Sequence, residues 1–556
     1  MSPPTTKPDE SKWEILVEKP PAGLLWRFLI TGRHLTGLLF GGLRAYVRSP
    51  PKRKGKRVPG FFLLRMIAGL SGIFLDRQLK NLAFPVQLRR RLEILGPTYI
   101  KLGQVLSLRE DILPSAITNE LTNLLNRLPI VTFDRYQELI EEGLNLPVPA
   151  MFKHIDREPV GSASIAQTHR ATTVDGEEVI LKVVKPGIKK TLQRDARLMA
   201  WFGTLLEWVI PQFQPKRVLD EFAEYTLREV DLRLEGDNAE NFTANFRDIK
   251  DVCFPKIYRK YSCESVLCME FFNGFRPDSE QALALSERER DTLLDMGGGT
   301  IINMLYRDGF FHADLHPGNL LILPGNKCGF IDVGMVGRFD DSLRRTLLYY
   351  YYCLVIGDPE NAARYLTSVA QPGKGGDPDA FRRAVEDASR RWSRNANFDD
   401  FSLAQLILES VSMGGKYHMY FPMEMVLMTK ALITFEGVGQ VLKPGFDVAA
   451  MSKKHISKLF LAQFNPVSLV KETLRSAPEV VDALVKAPLL ITQGLRFLED
   501  ATKQQPENPL SGIRGTLFAG FALLAGTLIL TFKMEQWHLS IPFFFISAIL
   551  VLRRPD

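Results

Sequence analysis

Two short segments near the middle of the chain carry side chains that could perform phosphoryl chemistry. Asp314 precedes Asn319 by five residues, and Asn319 precedes Asp332 by thirteen. One carboxylate can orient or deprotonate a nucleophile, while an amide oxygen and a second carboxylate can hold Mg²⁺. We therefore predict Asp314 as a catalytic residue, and Asn319 and Asp332 as the metal ligands.

The segment around Asp314 has the order H-x-D-x-x-x-x-N, and Asp332 is followed by valine and glycine. These orders and intervals match the catalytic loop and the metal-binding motif of kinases. Pro317-Gly318 is expected to turn the loop between the two ligand positions, and Gly334 to let the turn after Asp332 form. A loop with incidental Asp and Asn is the alternative, but two matching intervals in succession disfavour it.

A phosphate site also needs a cation, and Lys182 lies in a β-branched apolar run that is typical of a strand. We predict that Lys182 reaches the α- and β-phosphates and forms an ion pair with an acid on a downstream helix. Glu235 is the preferred partner and Glu229 the competitor. A solvated, charged helix face is the alternative interpretation of these acids.

The remaining predicted nucleotide contacts lie in a loop before Lys182 and in a second apolar strand after it. The loop residues are Gly161, Ser162, Ala163, Ser164, Ile165 and Ala166, and the strand residues are Met269, Glu270 and Phe271. Backbone groups of Glu270 and Phe271 are expected to bond an adenine edge. Ala163 and Ala166 stand where ordinary protein kinases carry glycine. Because a Cβ atom restricts the backbone, this loop should hold phosphates differently or less closely.

The periodicity of apolar residues indicates the elements that position these side chains. Helical spacing dominates before residue 146, short β-branched runs follow from residue 151, and helical spacing returns from about residue 286. We predict an α+β, two-lobed, protein-kinase-like fold with an N-terminal helical extension and a C-terminal transmembrane helical hairpin. The predicted boundaries are 1–60 for an amphipathic, polybasic leader, 61–150 for the extension, 151–280 for the small lobe, 281–505 for the helical lobe and 513–552 for the hairpin.

Composition excludes several classes of protein. The 556 residues are 46% apolar and include 36 Phe, which excludes a disordered or collagen-like chain. Five cysteines without a C-x-x-C pair disfavour a disulfide scaffold or a zinc site. The net charge of +7 is matched by seven Lys and Arg between residues 44 and 57, with no acid among them. We interpret this run as facing anionic lipid rather than nucleic acid, because it lies beside an apolar stretch and Tyr46 is its one aromatic residue; a solvated linker is the alternative.

Two uncharged runs near the C-terminus, residues 515–532 and 537–552, approach the length of membrane spans. Arg514 precedes them, and Arg553 and Arg554 follow them, so both flanks are expected in the cytoplasm. A buried hairpin of a soluble core is the alternative, because both runs are short. The first twenty residues are polar and contain acids, which disfavours a secretory or transit signal. We therefore predict the bacterial inner membrane, with the kinase-like domain on the cytoplasmic side; an unusual organelle import signal stays open.

Four features of the sequence belong together. They are Lys101-Leu-Gly-Gln104 with its downstream D-x-L-P, the Ala-rich segment 161–171, Glu229-Val-Asp231, and the loop 312–319. In combination they resemble the UbiB/ABC1/ADCK (AarF-like) family of atypical kinases. The resemblance implies that the K-x-G-Q helices cover the usual substrate side. It also implies that Lys101 and Gln104 face the site and that Glu229 and Asp231 brace them.

The resemblance further implies ATP and Mg²⁺ as cofactors. Membrane lipids and isoprenoid quinone precursors are the implied partners, with quinone-biosynthesis enzymes and a homodimer left open and no nucleic acid. A helical pattern follows Asp332 almost at once, and the A-P-E of this chain comes only at residues 477–479, far beyond that helix, so no long segment remains after Asp332 to bind a peptide. Phosphorylation of proteins in trans is thus disfavoured. We prefer ATP hydrolysis or phosphoryl transfer that acts on or extracts membrane lipid precursors in ubiquinone-like biosynthesis.

Two other classes of function remain as alternatives. A small-molecule phosphotransferase like the aminoglycoside and choline kinases shares the catalytic loop and the metal-binding aspartate. The segment from Lys101 to Gln104 and the terminal hairpin count against it. A catalytically silent lipid-binding scaffold is the second alternative, and the retention of every expected nucleotide and metal ligand counts against that class.

Overall fold

The computed structural model describes residues 23–48, 79, 82–107, 109, 113–124, 130–209, 215–373, 375–395, 402–463, 522–523 and 541–552. The chain divides into two compact units, residues 1–462 and 463–556, and each is described by itself.

The first part of the larger unit mixes helices with an antiparallel sheet. Its helices are α1 (Leu24–Arg48), α2 (Phe84–Leu95), α3 (Pro97–Leu106), α4 (Ser115–Leu121), α5 (Phe133–Leu144), α6 (Val148–Met151), α7 (Ile188–Val209), α8 (Pro215–Glu229) and α9 (Leu232–Phe246). Its strands are β1 (Phe152–Ile155), β2 (Gly161–Ser162), β3 (Ala166–Thr173), β4 (Glu178–Val184), β5 (Val252–Cys253) and β6 (Val266–Glu270). We call α5, α6, α9 and the sheet of β1–β4 and β6 the sheet lobe.

The second part of this unit, which we call the helical lobe, is mostly α-helical. Its helices are α10 (Glu280–Leu283), α11 (Glu287–Ile302) with a π-helical continuation (Asn303–Asp308), α12 (Asp341–Ile356), α13 (Pro359–Val369), α14 (Pro378–Asn395), α15 (Leu403–Tyr417), α16 (Met423–Leu442) and α17 (Val448–Gln463). Its strands are β7 (Phe310–His312), β8 (Leu320–Leu323), β9 (Lys327–Phe330), β10 (Val336–Arg338), β11 (Gln371–Pro372) and β12 (Met419–Tyr420).

The sheet runs in the order β1-β3-β4-β6, with β2 added to part of β3. Its register places Gly161 opposite Thr168, Thr168 opposite Lys182, and Lys182 opposite Leu267. Side chains alternate along β4, so Val179, Leu181 and Val183 enter the core beneath α5. The opposite face, to which Lys182 belongs, carries the apolar side chains that pack near α9. The alternation therefore aims the lysine toward α9.

The helices before the sheet fall into two groups, which divides the predicted extension of residues 61–150. Tyr136 of α5 donates a hydrogen bond from its hydroxyl to the carbonyl of Leu181 (2.7 Å), and α5 shares the core of the sheet. Helices α2 to α4 form a separate core with Met199 of α7 and Phe222 of α8. The structure therefore assigns α5 and α6 to the sheet lobe and leaves α2 to α4 as the extension.

Gly103 of α3 faces two leucine side chains of the extension at a point with no room for a Cβ atom. A Cβ atom there would come within 2.3 Å of Leu124 Cδ1 and 2.9 Å of Leu92 Cδ1, and both leucines are buried. We expect Gly103→Ala to lower the free energy of unfolding by about 1–3 kcal/mol through overpacking. Urea titration of the full chain measures this. Gly437→Ala on α16 is the control, because nothing lies within 4 Å of its added Cβ; equal effects of the two substitutions would contradict the prediction.

Short strands of the helical lobe position the predicted catalytic and metal-binding residues. β7 pairs with β10, and β8 pairs with β9, which also pairs with β5. The loop between β7 and β8 contains Asp314 and a 3-10 turn (Pro317–Asn319), and β9 leads directly to Asp332. Asn319 and Asp332 therefore lie at the same end of the β8–β9 pair, and Asp314 lies at the end of β7, in the neighbouring two-stranded sheet.

Helix α16 runs through the core of the helical lobe. Of the helices in the described ranges, it is the one with the length and composition of a membrane span, and 67% of that stretch is buried inside the protein. Burial of this kind is typical of a core helix. The predicted hairpin lies mostly outside the described residues, which there include two helical residues (522–523) and α18 (Ile541–Leu552). The hairpin and most of the leader therefore stay predictions.

Candidate active site

Lys182 lies at the centre of an ion-pair network between the two lobes. Its ammonium nitrogen is 2.8 Å from Glu235 Oε1 and 3.0 Å from Asp332 Oδ1. Glu235 is on the buried face of α9, where its side chain is only 6% exposed, whereas the Asp332 side chain is 47% exposed. The network thus joins the sheet, α9 and the segment after β9, and one of its carboxylates stays accessible to a ligand.

The charged groups of this network shift one another's pKa values. Burial disfavours the ammonium form of Lys182, but Asp332 and Glu235 outweigh it and raise its pKa. Desolvation favours the neutral acid at Asp332, but the ammonium of Lys182 lowers its pKa to about 2. Burial raises the pKa of Glu235 to about 7, with the nearby Asp332 adding to the effect and Lys182 opposing it. Asp332 is therefore the carboxylate that stays ionised near neutral pH, as a metal ligand must.

The turn at Asp332 differs from the one predicted. The residue with left-handed backbone is Asp332 itself (φ 52°), which an aspartate tolerates better than most side chains. Gly334 instead leaves space, because a Cβ atom there would lie 3.3 Å from Glu235 Oε2 and 3.4 Å from Asp332 Oδ1. Asn238 of α9 donates from Nδ2 to the carbonyl of Val333 (3.1 Å) and fixes this segment. Gly334 thus admits two carboxylates rather than making the turn.

The loop that carries Asp314 is held by its own polar groups. The Asp314 backbone N–H donates to His312 Nδ1 (3.1 Å), so the proton of this buried imidazole is on Nε2 and faces the carbonyl of Ile331 (3.3 Å). Burial lowers the pKa of His312, which favours this neutral form. Asn319 donates from Nδ2 to the carbonyl of Asp314 (3.0 Å). These contacts tie Asp314, Asn319 and the residue before Asp332 into one rigid unit.

Lys430 of α16 is a site residue that the sequence did not reveal. Its ammonium nitrogen lies 2.7 Å from Asp314 Oδ1, and the side chains are 23% and 26% exposed. Burial favours the neutral acid, but Lys430 outweighs it and holds the pKa of Asp314 below its ordinary value. His316 Nε2 lies 3.8 Å from the second carboxylate oxygen. The feature of the sequence that could have indicated Lys430 is that it is a lone cation in an otherwise apolar stretch of a core helix.

The Ala-rich loop between β2 and β3 is closed by hydrogen bonds. The N–H of Ala163 donates to the carbonyl of Ala166 (2.9 Å). Lys185, another residue that the sequence did not single out, donates from Nζ to the carbonyl of Ala163 (2.6 Å), and its N–H donates to the carbonyl of Ile165 (2.8 Å). Burial lowers the pKa of Lys185 to about 8. The loop is thus pinned to the end of β4, and the N–H of Ala163 is already committed.

The predicted adenine contacts at the end of β6 need correction. The N–H of Glu270 donates to the carbonyl of Lys256 (2.9 Å), and that of Phe271 donates to the carbonyl of Glu178 (3.1 Å). Both N–H donors are therefore used within the protein and cannot bond an adenine edge, whereas the contacts predicted for the backbone carbonyls of Glu270 and Phe271 stay predictions. Met269 lies on the apolar face that also contains Ile165 and Leu267. The side chain of Met269 remains placed for an apolar contact.

The K-x-G-Q helix α3 contacts the site through its lysine. Lys101 Nζ lies 2.9 Å from Glu229 Oε1, so Glu229 pairs with Lys101 and not with Lys182. Burial acts to raise the pKa of Asp332, and the charge of Lys101 helps Lys182 to lower it. Gln104 lies three residues further along the same helix and is half-buried.

Asp231 does not brace Lys101 and Gln104 as the resemblance implied. Its carboxylate is the N-cap of α9, accepting from the backbone N–H of Arg233 (3.1 Å) and from its guanidinium (2.7 and 2.9 Å). A capping carboxylate must face its own helix end, so it cannot reach across to α3. Asp231 therefore positions the helix that carries Glu235.

The oxygen atoms present suit Mg²⁺. Because Asn319 donates through Nδ2, its amide oxygen is the atom left for a cation, and Asp332 supplies an ionised carboxylate. Within the described ranges, no three His, Cys, Asp or Glu side chains cluster as a metal site. Mg²⁺ is commonly held by one or two protein oxygens together with phosphate and water, so Asn319 and Asp332 fit that ion.

The fold and the site together define a kinase-like protein. A strand lysine is paired with a helix glutamate, and a loop aspartate and asparagine precede a second aspartate by fixed intervals. The model of the ABC1 atypical kinase-like domain matches residues 123–366, and the model of the UbiB helical domain matches residues 393–447. The chain therefore contains an ABC1 atypical kinase-like domain followed by a UbiB helical domain. Lys430 lies within the stretch that matches the helical domain.

Curated relatives cover most of the chain. A probable protein kinase UbiB of Tolumonas auensis is 29% identical over 81% of this chain and 86% of the relative. One of Aeromonas salmonicida is 28% identical over 85% and 90%. Protein ACTIVITY OF BC1 COMPLEX KINASE 7, chloroplastic, of Arabidopsis thaliana is 29% identical over 74% and 60%. A solved Mycobacterium tuberculosis protein in complex with erythromycin is 23% identical, with a TM-score of 0.45, over 64% of this chain and 90% of that one.

Proposed function

We propose that this chain binds ATP with Mg²⁺ between its lobes and uses it to act on or extract membrane-embedded precursors of an isoprenoid quinone. The observation that carries the proposal is the bridge from Lys182 to Glu235 and Asp332 at 2.8 and 3.0 Å. A lysine fixed in this way can neutralise phosphate charge without reorganising during the reaction. Anchoring by the hairpin of residues 513–552, in a bacterial inner membrane, is part of the proposal.

Each site residue has a stated role in this proposal. Asn319 and Asp332 would hold Mg²⁺, which when bound neutralises charge on the phosphates. Lys182 binds the α- and β-phosphates and is oriented by Glu235. Asp314 orients the attacking water or hydroxyl, and Lys101 restricts access from the substrate side.

Lipid handling is favoured over protein phosphorylation by what surrounds the site. After Asp332 the chain forms β10 and then enters α12 at Asp341, so little chain lies between the metal ligand and the next helix. Ordinary protein kinases use a long segment at this place to bind peptides. Lys101 of α3, which is held by its ion pair with Glu229, lies close enough for its charge to act on Asp332. A small acceptor, or water, suits this arrangement better than a peptide.

The test uses full-length protein reconstituted in lipid vesicles. We expect Asp332→Asn to weaken Mg²⁺-ATP binding about tenfold or more and to lower ATP turnover about 100-fold, because a metal ligand is lost. Asp248→Asn is the control, since its side chain is 92% exposed. Quinone-precursor lipids should stimulate the turnover of the unmodified chain. Unchanged nucleotide affinity and turnover in Asp332→Asn would remove the metal assignment, and phosphate transfer to a soluble alcohol would favour a small-molecule phosphotransferase.

A further inference from the structure

The exposed face of α7 is basic in the first half of the helix and apolar in the second half. Lys190 and Arg197 are exposed in its first half, and neither forms an ion pair within the described residues. In its second half, Trp201, Leu205 and Trp208 are 53%, 44% and 85% exposed. These apolar side chains follow one another at intervals of four and three residues, so they form one stripe on the helix. Basic residues and an aromatic stripe therefore share a single surface.

Helix α1 extends this apolar stripe. Leu25, Trp26 and Leu29 are 73%, 61% and 53% exposed. Between them, Phe28 turns toward α7, where its ring lies 5.1 Å from the ring of Trp201 in an edge-to-face arrangement. The exposed apolar residues of the two helices therefore meet at this ring contact.

A buried ion pair fixes the two helices in this arrangement. Arg27 lies 2.8 Å from both carboxylate oxygens of Asp195, and the Asp195 side chain is 0% exposed. The apolar side chains of α1 therefore do not fold back onto α7 but stay at the surface. We call the set of Leu25, Trp26, Leu29, Trp201, Leu205 and Trp208 the interfacial face.

The chemistry of the interfacial face indicates what covers it. Six large apolar side chains exposed together are unusual for a soluble surface and mark a contact site. The three members on α7, which are Trp201, Leu205 and Trp208, are between 44% and 85% exposed. Tryptophan concentrates at the boundary between lipid headgroups and acyl chains. The acid closest in sequence to Trp208, Glu207, accepts a hydrogen bond from the backbone N–H of Lys216 (3.2 Å). The Glu207 carboxylate is thus held at the backbone near the start of α8, whereas the exposed cations Lys190 and Arg197 lie at helical spacing on the side of α7 that carries the stripe.

We propose that the interfacial face docks on the surface of an anionic lipid bilayer. The aromatic stripe enters the headgroup boundary, and Lys190 and Arg197 face the lipid phosphates. Trp201 and Trp208 are seven residues apart, about 10 Å along the helix, so α7 lies along the surface rather than across the membrane. This docking uses neither the nucleotide site nor the C-terminal hairpin, and it gives unit 1–462 its own contact with lipid.

The experiment measures contact of Trp208 with lipid directly. Full-length protein is mixed with vesicles of equal parts phosphatidylcholine, brominated on its acyl chains, and phosphatidylglycerol. The emission of Trp208 is obtained as the difference between the unmodified chain and Trp208→Phe. We expect the brominated lipid to quench most of this difference emission, because quenching needs contact with the acyl chains. Since it reports one residue, it is independent of any other membrane attachment and of ATP turnover.

Matched variants separate docking from its alternatives. Trp392→Phe, which removes a tryptophan that is 9% exposed in α14, is the control, and its difference emission should stay unquenched. Lys190→Glu with Arg197→Glu should weaken the quenching of Trp208 several-fold. Unquenched Trp208 emission would overturn the proposal, as would self-association of the chain that Trp208→Phe abolishes without any quenching. Equal quenching in vesicles of phosphatidylcholine alone would overturn the selection of anionic lipid.

Discussion

Replacing Lys430 by methionine is expected to lower ATP turnover about 10- to 100-fold while changing nucleotide affinity little. Lys430 Nζ lies 2.7 Å from Asp314 Oδ1 and counteracts the burial that would otherwise favour the neutral acid. Without the cation the pKa of Asp314 rises, so a smaller fraction is ionised and the carboxylate loses its fixed orientation. We interpret Lys430 as a positioning residue, because it acts through Asp314.

The pH profile of turnover distinguishes this role from a loss of packing. In Lys430→Met the acidic limb of kcat/KM should move to higher pH, since ionised Asp314 is then lost at a higher pH. Lys430→Arg keeps the charge and should retain much of the turnover, and Lys453→Met on α17 removes an exposed lysine as a control. A profile that does not move, with turnover equal to that of Lys453→Met, would show that the ion pair has no part in the reaction.

Replacing Arg27 by methionine is expected to lower the free energy of unfolding by about 3–5 kcal/mol. The guanidinium lies 2.8 Å from both oxygens of Asp195 and 2.7 Å from the carbonyl of Leu95. Methionine preserves most of the side-chain volume but leaves Asp195, which is 0% exposed, as an uncompensated buried charge. Urea titration of the full chain, followed by circular dichroism, gives the change.

The double variant Arg27→Met with Asp195→Leu identifies the cause. Removing both charges together should restore most of the lost stability, because no buried charge remains. Arg90→Met breaks an ion pair with Glu93 in which the arginine side chain is 49% exposed, so it should change stability by less than about 1 kcal/mol. If the double variant is no more stable than Arg27→Met, the loss arises from packing and not from the unpaired carboxylate.

Local patterns predicted those site residues that neighbouring elements bring together. Asp314, Asn319 and Asp332 are close in sequence and lie at adjacent strand ends, so their spacing carried the information. Lys182 was identified because a cation in an apolar strand stands out, and the first-choice partner, Glu235, lies 2.8 Å from it. The change in periodicity along the chain predicted a mixed lobe before a helical lobe, and the motif spacings and the family resemblance identified that arrangement as kinase-like.

Contacts between distant segments could not be predicted in this way. Lys430 reaches Asp314 only because α16 packs beneath the loop, which no local pattern encodes. The backbone donors of Glu270 and Phe271 are consumed by residues from other turns and strands. Asp231 matched a family motif, but its sequence position directly before a helix also fits an N-cap, and that local bond is the one formed. Tertiary packing and helix capping thus determine these contacts, which the spacing of residues along the sequence does not specify.

The two motifs of the site are also connected mechanically, through the junction of α8 and α9. Glu229, the last residue of α8, holds Lys101 of the extension, and Glu235, in the first turn of α9, holds Lys182. Only Val230, which is buried, and the capping residue Asp231 lie between the two helices. A shift of α9 that moved Glu235 away from Lys182 would therefore also displace Glu229 and its partner Lys101, through two residues of backbone. Under the proposed function, this junction would couple nucleotide binding at Lys182 to access from the side of Lys101.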